Sequence, residues 1–247
     1  MTKPATMSEI DGFWSSCLGC EVGQLYNSML NIVRCPSAGT TKELHLFCRG
    51  ATCVLAVKDK PDVGGFDKEI AHIINGYHLE EIFNSNFWFE RFGDLAGRIV
   101  GPAYVGYADD SDFHAYKSES VRLLGANDDS LIRNLAQACS KFEWEHSAIQ
   151  FERKPIFGCF VSDKLVAAAS YAIWGKRIVH IGVVTHPEYR SLGYGKSVVS
   201  AISEYALGKG LIPQYRTLIS NTRSVGIAGS LGFQKYAETF AVILKDI

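Results

Sequence analysis

The sequence contains no long apolar segment. No run of about 18 apolar residues is present, so a transmembrane helix is not expected, and residues 1–10 lack the apolar core of a secretory signal peptide. Hydrophobic residues make up 47% and charged residues 21% of the 247 positions, a composition that excludes a disordered chain. The sequence therefore predicts a folded, cytoplasmic protein without a membrane partner.

Cysteine pairs with metal-ligand spacing are also scarce. The seven cysteines are scattered, and Cys17 and Cys20 form a single C-x-x-C motif. A structural zinc site normally needs a second closely spaced pair, but Cys35 is isolated, and Cys48 and Cys53 are too widely spaced. We expect no metal ion and predict reduced, mostly buried thiols.

The whole chain has almost no excess of charge of one sign, but each of its halves has one. The net charge is −1, whereas residues 1–116 carry 9 basic and 15 acidic residues, and residues 117–247 carry 16 and 11. The near-neutral total argues against a nucleic-acid partner, and the basic second half suits a small polyanionic ligand. Two ordinary surfaces of different sign would give the same counts.

The length predicts two domains, at roughly 100–150 residues each. A polar cluster at residues 109–112 marks the boundary, which gives an N-terminal α/β domain over residues 1–112 and a second domain over 113–247. In the first, helical spacing predicts helices at 8–18 and 66–75, and strand patterns occur at 43–58 and 98–107, the latter broken at Gly101-Pro102. Four aromatic residues within 84–92 are predicted to be core: Phe87, Trp88, Phe89 and Phe92.

The second domain has a regular order of predicted elements. A strand at 120–124 precedes a helix that Asp128 or Asp129 caps, and a short helix follows at 143–149. Three strands at 156–161, 164–174 and 177–184 then pair through tight turns.

The segment most informative about chemistry covers residues 178–210. An apolar strand ends at Thr185, a glycine-containing loop follows, and an amphipathic helix begins near Gly195. Glycines let the backbone approach a ligand closely, and the free N–H groups at a helix start favour phosphate. Arg190 and Lys196 add positive charge to this loop. A dinucleotide fingerprint would need a third glycine, and a P-loop would need glycine where Arg190 stands.

This segment resembles the acetyl-CoA-binding signature of the GNAT superfamily of N-acetyltransferases. The motif [Q/R]-x-x-G-x-[G/A] matches Arg190, Gly193 and Gly195, and the lead-in V-V-T-H-P-E-Y-R, Asn221 and the S-L-G-F at 230–233 are also similar to the family. The resemblance covers about residues 117–247. It implies a mixed, mostly antiparallel sheet flanked by helices. The F-W-x-x-x-L-G at 13–19 is similar to the extra N-terminal domain of two-part members, which covers the acceptor side and is a degenerate copy of the same fold.

The resemblance implies which residues hold acetyl-CoA, the expected co-substrate. The backbone of the strand end should pair with the pantetheine arm, the loop N–H groups should hold the pyrophosphate, and Asn221 with Ser224 should face the cofactor. These residues are Val183, Val184, Thr185, Arg190, Ser191, Leu192, Gly193, Tyr194, Gly195, Lys196, Asn221 and Ser224.

The proton-transfer groups are less well defined by the sequence. Many family members carry a tyrosine acid where this chain has Ala228, which leaves Ser224, Ser230 or water as the acid. His180 is the first candidate for the base, because an imidazole titrates near working pH, although it also fits a histidine that simply points out of a sheet. Glu145 and Glu188 are weaker candidates that also fit solvated surface carboxylates, and His186 fits a loop residue.

Three classes of function follow from these observations. The first is an N-acetyltransferase that acts on a small primary amine by direct attack on the thioester, as a monomer or homodimer. The second is a CoA-binding protein that has lost catalysis and acts as a sensor or interaction module, which Ala228 favours. The third is a metal or nucleic-acid module built on the N-terminal cysteines.

Overall fold

A computed structural model describes residues 2–27, 29–36, 42–59, 65–147, 149 and 155–245. The chain forms two compact units that are not consecutive in sequence. The C-terminal unit comprises Met1–Thr6, Gly106–Thr217 and Asn221–Lys235, and the N-terminal unit comprises Met7–Val105, Leu218–Ser220 and Tyr236–Ile247. The boundary expected after Asp112 stays a prediction about independently folding domains.

The N-terminal unit contains a five-stranded sheet with the order β1-β3-β2-β10-β4. Its elements are α1 (Pro4–Leu18), β1 (Leu30–Pro36), β2 (Glu43–Arg49), β3 (Thr52–Asp59), α2 (Phe66–Ile74), α3 (Leu79–Ile82), α4 (Ser85–Phe92), β4 (Ala96–Tyr107) and β10 (Gln234–Leu244). β1 runs parallel to β3, whereas β2 is antiparallel to both β3 and β10. The apolar face of α2 packs on this sheet through Phe66, Ile70 and Ile74.

Three expectations for this unit were wrong. The first concerns β4, which continues without a break through Gly101-Pro102, where the peptide bond is cis. Gly101 has φ = 119°, and a Cβ there would lie 2.7 Å from the Thr239 carbonyl oxygen, so only glycine lets β4 pass β10 this closely. The second concerns Phe89, which is 48% exposed although Phe87 and Trp88 are buried, because it lies on the outer side of α4.

The third correction concerns the cysteines. Cys48 and Cys53 form a disulfide rather than two free thiols, whereas Cys17, Cys20, Cys35, Cys139 and Cys159 are free. The hairpin of β2 and β3 turns at Gly50 and Ala51, so Cys48 and Cys53 face each other with their Cα atoms 4.3 Å apart. Directly opposed residues of antiparallel strands come this close, and a spacing rule for metal ligands does not detect them.

The C-terminal unit contains a second five-stranded sheet with the order β9-β8-β7-β6-β5. Its elements are β5 (Val121–Leu123), α5 (Asp129–Ala138), α6 (Lys141–His146), β6 (Ile156–Val161), β7 (Lys164–Ile173), β8 (Ile178–Thr185), α7 (Tyr194–Gly208), β9 (Ile212–Leu218) and α8 (Thr222–Ser230). β5 to β8 are antiparallel neighbours, and β9 runs parallel to β8. The predicted order of strands and helices in this part of the chain is confirmed.

Helices α5 and α7 cover opposite faces of this sheet. Ile132 and Leu135 of α5 pack with Ile156, Ala168 and Val184, whereas Tyr205 of α7 contacts Phe157. Because adjacent strand residues point to opposite faces, Ile156 and Phe157 define an α5 face and an α7 face.

Three aspartates have contacts that the sequence did not predict. Asp128 stands at the N-cap position of α5, as expected, but its carboxylate makes no capping hydrogen bond. It accepts two hydrogen bonds from Arg122, at 2.8 and 2.7 Å, and one from the Gly125 N–H. Within the polar cluster at 109–112, Asp109 and Asp112 are buried. They accept hydrogen bonds from the Lys3 N–H and the Thr2 hydroxyl, so they fix the start of the chain to the C-terminal unit.

Candidate functional site

The glycine loop lies between a strand and a helix, as the sequence predicts. β8 ends at Thr185, a single 3₁₀ turn spans Pro187–Tyr189, and α7 begins at Tyr194 with Gly193 as its N-cap. Gly193 has φ = 89° and Ser191 has φ = 65°, so two left-handed residues turn the chain into the helix. This turn leaves the N–H groups of the first helical turn without intrahelical acceptors.

Gly195 allows the helix start to approach the strand end. A Cβ at this position would lie 3.0 Å from Thr185 Oγ1 and 3.6 Å from Ile227 Cδ1. The loop residues Ser191, Leu192 and Gly193 are exposed, with Leu192 at 63%. A compact backbone turn with outward-facing N–H groups is the geometry expected of an anion cradle.

β8 and β9 pair only along their first halves. The register runs from Ile178 opposite Ile212 to Ile181 opposite Tyr215, although β8 continues to Thr185 and β9 to Leu218. Residues 182–185 thus extend beyond the β9 pairing while their other edge still pairs with β7. An unpaired strand edge offers alternating N–H and C=O groups to a ligand that contains amides.

The motif arginine, Arg190, connects the loop to the end of β8 and to α6. Arg190 donates from Nε to the Thr185 carbonyl oxygen at 3.2 Å and forms an ion pair with Glu143 at 2.7 Å. Burial disfavours the charged carboxylate of Glu143, but the hydrogen bonds from Ser140 and the charge of Arg190 outweigh burial and hold its pKa below the usual value. Lys196 lies over the Tyr116 ring at 4.7 Å.

Helix α8 begins beside β9 and carries the second predicted cofactor group. Asn221 caps the helix by accepting a hydrogen bond from the Ser224 N–H at 3.2 Å. The Ser224 hydroxyl lies 2.8 Å from the hydroxyl of Tyr215, whose pKa is raised by burial despite the Ser224 contact. Ala228 is fully buried in the same helix, so no tyrosine acid stands there.

His180 lies on the α5 face of β8, two residues before the strands part. It is opposite Gln214 in the register with β9, and its ring stacks on Trp174 with a centroid distance of 4.4 Å. Burial and the nearby charge of Arg216 lower the pKa of His180 to about 4, and an interaction with Gln214 offsets only part of this. The imidazole is therefore neutral at physiological pH.

The remaining candidates lie at the surface of the C-terminal unit. Glu145 is paired with Lys141 at 3.8 Å, and Glu188 with Lys164 at 3.8 Å, both in exposed positions. His186 caps the 3₁₀ turn by accepting a hydrogen bond from the Glu188 N–H. Ser230 donates its hydroxyl to the Ile227 carbonyl oxygen at the end of α8.

Residues 117–241 match the profile of the GNAT acetyltransferase family, and this match covers half of the chain. The chain belongs to the GNAT acetyltransferase family. A GNAT-family acetyltransferase from Colwellia psychrerythraea shares 15% identity over 99% of this chain and 98% of that chain, with a TM-score of 0.54. Another structure described as a GNAT acetyltransferase, from Novosphingobium aromaticivorans, shares 20% identity over 61% of this chain and 66% of that chain, with a TM-score of 0.49. No curated protein sequence gives a significant match.

These findings establish a GNAT fold, with a mixed sheet flanked by helices, and membership in a GNAT family supports an acyltransferase. Within the described ranges, no helix is long and apolar enough to cross a membrane. Among the same residues, no group of three or more histidine, cysteine or acidic side chains is arranged to hold a metal ion.

Sequence reasoning missed three residues beside the point where β8 and β9 cease to pair: Gln214, Tyr215 and Arg216. They lie on β9, whose sequence I-P-Q-Y-R-T-L carries no motif. Their alternation was a usable signal, because Gln214 and Arg216 share one face of the strand while Tyr215 points to the other.

Proposed function

We propose that the protein transfers an acetyl group from acetyl-CoA to the primary amine of a small acceptor by direct attack on the thioester. The observation that carries this proposal is the parting of β8 and β9 immediately beside the glycine loop. One opening thus offers an unpaired strand edge and a helix N-terminus to the same ligand. The family membership supports the choice of reaction class.

In this proposal, residues 183–185 bind the amides of the pantetheine arm along the free edge of β8. The N–H groups of residues 190–196 hold the pyrophosphate, with Lys196 adding positive charge. Asn221 and Ser224 then face the ligand from the start of α8. The side chain of Arg190 acts indirectly, because its ion pair with Glu143 keeps the loop in shape.

The proton-transfer groups of the proposal come from the two faces of the sheet. The neutral amine attacks the thioester carbonyl, and His180, on the α5 face, accepts the proton that the nitrogen loses, directly or through water, since its ring is neutral. Ser224, with Tyr215 behind it, supplies a proton to the departing thiolate from the other face. The raised pKa of Tyr215 keeps this pair protonated at neutral pH.

The activity is tested by free-thiol release from acetyl-CoA over a panel of amines. Amine-dependent thiol release with a matching rise in acetylated product is the expected result. Tight CoA binding without turnover on any amine would favour the second candidate, a CoA-binding sensor, which the buried Ala228 in place of a tyrosine acid supports.

The cofactor site is tested by Gly193→Asp, which places a negative charge where the pyrophosphate should bind. A side chain at Gly193 meets no atom within 4 Å, so the variant has room to fold. We expect CoA affinity, measured by calorimetry, to fall by about 10²-fold, because a like charge opposes phosphate at a helix start. Gly193→Asn is the matched control, since it has the same shape and tolerates the left-handed backbone. Equal CoA affinity in both variants would place the pyrophosphate elsewhere.

A further inference from the structure

Three polar side chains lie together on the α5 face: His180, Gln214 and Arg216. The Nδ1 atom of His180 and the Oε1 atom of Gln214 are closed off from solvent and accept or donate no hydrogen bond. Gln214 donates its amide to the Tyr107 hydroxyl, which leaves only the oxygen free. Buried polar atoms without partners cost about 1–3 kcal/mol each, so such a group in one place points to a ligand that completes it.

Arg216 is the charged member of this group and is half-buried. Partial burial lowers the pKa of its guanidinium from the usual value, and Tyr107 is the group that opposes this effect. Among the described residues, no carboxylate forms an ion pair or hydrogen bond with Arg216. A charge that has lost part of its hydration favours a partner of opposite sign, so this guanidinium is suited to an anionic ligand.

The position of the three side chains connects them to the strand opening. His180 and Gln214 are opposite each other, and Arg216 follows Gln214 by two residues on the same face, about 7 Å along the strand. Gly182, the first residue of β8 beyond the pairing with β9, carries no side chain. A separation of about 7 Å is one that a single small ligand can bridge.

We propose that the acceptor amine also carries a carboxylate, and that Arg216 binds this carboxylate while the amine faces His180 Nδ1 and Gln214 Oε1. The inference deepens the proposed acetyl transfer and rests on it. A guanidinium matches a carboxylate with two parallel hydrogen bonds, and the two acceptor atoms suit an amine that carries hydrogens. The short spacing favours a compact amino acid over a long polyamine.

The experiment compares L-amino acids with the amines that lack their carboxylate, for example L-phenylalanine with phenethylamine and L-lysine with 1,5-diaminopentane. We expect kcat/KM to be higher for the amino acid of the preferred pair. Arg216→Gln should lower kcat/KM for that amino acid by about 10–100-fold and leave the decarboxylated amine unchanged. Arg216→Lys should recover part of the loss, because lysine keeps the charge without the planar fork.

Two controls distinguish acceptor binding by Arg216 from an effect on folding or on the cofactor site. Arg133→Gln removes an exposed arginine of α5 and should change neither substrate. CoA affinity of Arg216→Gln, measured by calorimetry, should equal that of the original protein, which also shows that the variant folds. Weakened CoA binding would instead assign Arg216 to the cofactor and overturn the inference, as would equal or better activity with the decarboxylated amines.

A direct binding measurement keeps the test independent of turnover. Amino acids are titrated calorimetrically into the protein saturated with CoA, with and without the Arg216→Gln change. Binding that depends on Arg216, in a protein that acetylates nothing, would support the carboxylate site and refute acetyl transfer. Acetylation of amines with no dependence on a carboxylate or on Arg216 would support the transfer and refute the carboxylate site.

Discussion

Each unit contains a half-buried arginine beside other polar groups, but only one of these arginines is paired with a carboxylate among the described residues. In the N-terminal unit, the Asp11 carboxylate accepts hydrogen bonds from the hydroxyls of Tyr26 and Tyr236 and lies 3.4 Å from Arg49. The Arg49 guanidinium also stacks on both tyrosine rings, at 4.4 and 4.6 Å. In the C-terminal unit, Arg216 has no such carboxylate among the described residues.

We expect the difference between these two clusters to separate a structural role from a binding role. A charge that is paired with a carboxylate of the same protein contributes to the folded state and offers little to a ligand. A partly buried charge without a carboxylate partner costs free energy in the folded protein, and an anionic ligand can offset that cost. The comparison therefore predicts opposite effects of removing charge from the two clusters.

The largest effect is expected for Asp11→Asn. This change leaves Arg49 without its counterion and weakens two tyrosine hydrogen bonds, so the free energy of unfolding should fall by about 3 kcal/mol. Urea denaturation measures the loss. Glu90→Gln, which removes an exposed carboxylate 3.7 Å from Arg91, is the matched control and should change stability by less than about 0.5 kcal/mol. Similar values for the two variants would mean that the Asp11 cluster is not structural.

His180 gives the next largest effect, through pH. Its pKa is about 4 in the folded protein against about 6.5 unfolded, so the unfolded chain takes up a proton first as the pH falls. The contribution of the neutral ring to the free energy of unfolding is present above about pH 6.5. It decreases as the pH falls, by about 2 kcal/mol at pH 5. Arg216 is the charged group that acts on this ring, and Tyr107 in turn acts on Arg216.

The measurement for His180 is the change in unfolding free energy between pH 7.5 and pH 5. His180→Gln should lose about 2 kcal/mol less over this range than the original protein, because glutamine does not titrate. Identical pH dependence in both proteins would show that the ring is not held neutral by its surroundings.

Arg216→Gln should leave the ligand-free protein as stable or up to about 1 kcal/mol more stable, because the change removes a half-buried cation without removing an ion pair. Thermal unfolding without ligand measures this effect. A decrease of about 2 kcal/mol or more in the free energy of unfolding would contradict this expectation. It would show that Arg216 has a stabilising partner and a structural role like that of Arg49.

The smallest effect is expected at the ion pair of Glu143 and Arg190. Both side chains are 37% exposed, and exposed pairs contribute roughly 0–1 kcal/mol. Glu143→Gln should therefore lower the unfolding free energy by about 0.5 kcal/mol at low salt and by less at about 0.5 M salt. Denaturant melts at two salt concentrations measure this, and a salt-independent loss would contradict an electrostatic origin.

Local pattern was sufficient to predict the elements around the glycine loop. The alternation of β8, the glycines at 193 and 195, and the apolar face of α7 each depend on residues close in sequence, and the structure confirms the strand–loop–helix order. The apolar residues of α2 were equally predictable from their spacing. The family resemblance, which the profile match confirms, also depended on such contiguous residues.

Long-range pairing accounts for the corrections to the sequence expectations. The unbroken path of β4 depends on how closely Gly101 passes β10, and the Cys48–Cys53 disulfide depends on the register of a hairpin. Phe89 is exposed because three aromatic neighbours on α4 cannot all face one side of a helix with 3.6 residues per turn. None of these outcomes is encoded in a window of adjacent residues.

The sequence by itself determined the fold family and the glycine loop between β8 and α7, because those features depend on residues that follow one another along the chain. Only the tertiary structure decided the state of the polar groups around the loop. It paired Arg190 with Glu143, held His180 neutral and left Arg216 without a carboxylate among the described residues. These properties depend on burial and on charges brought together from separate strands and helices, and both exist only once the chain has folded.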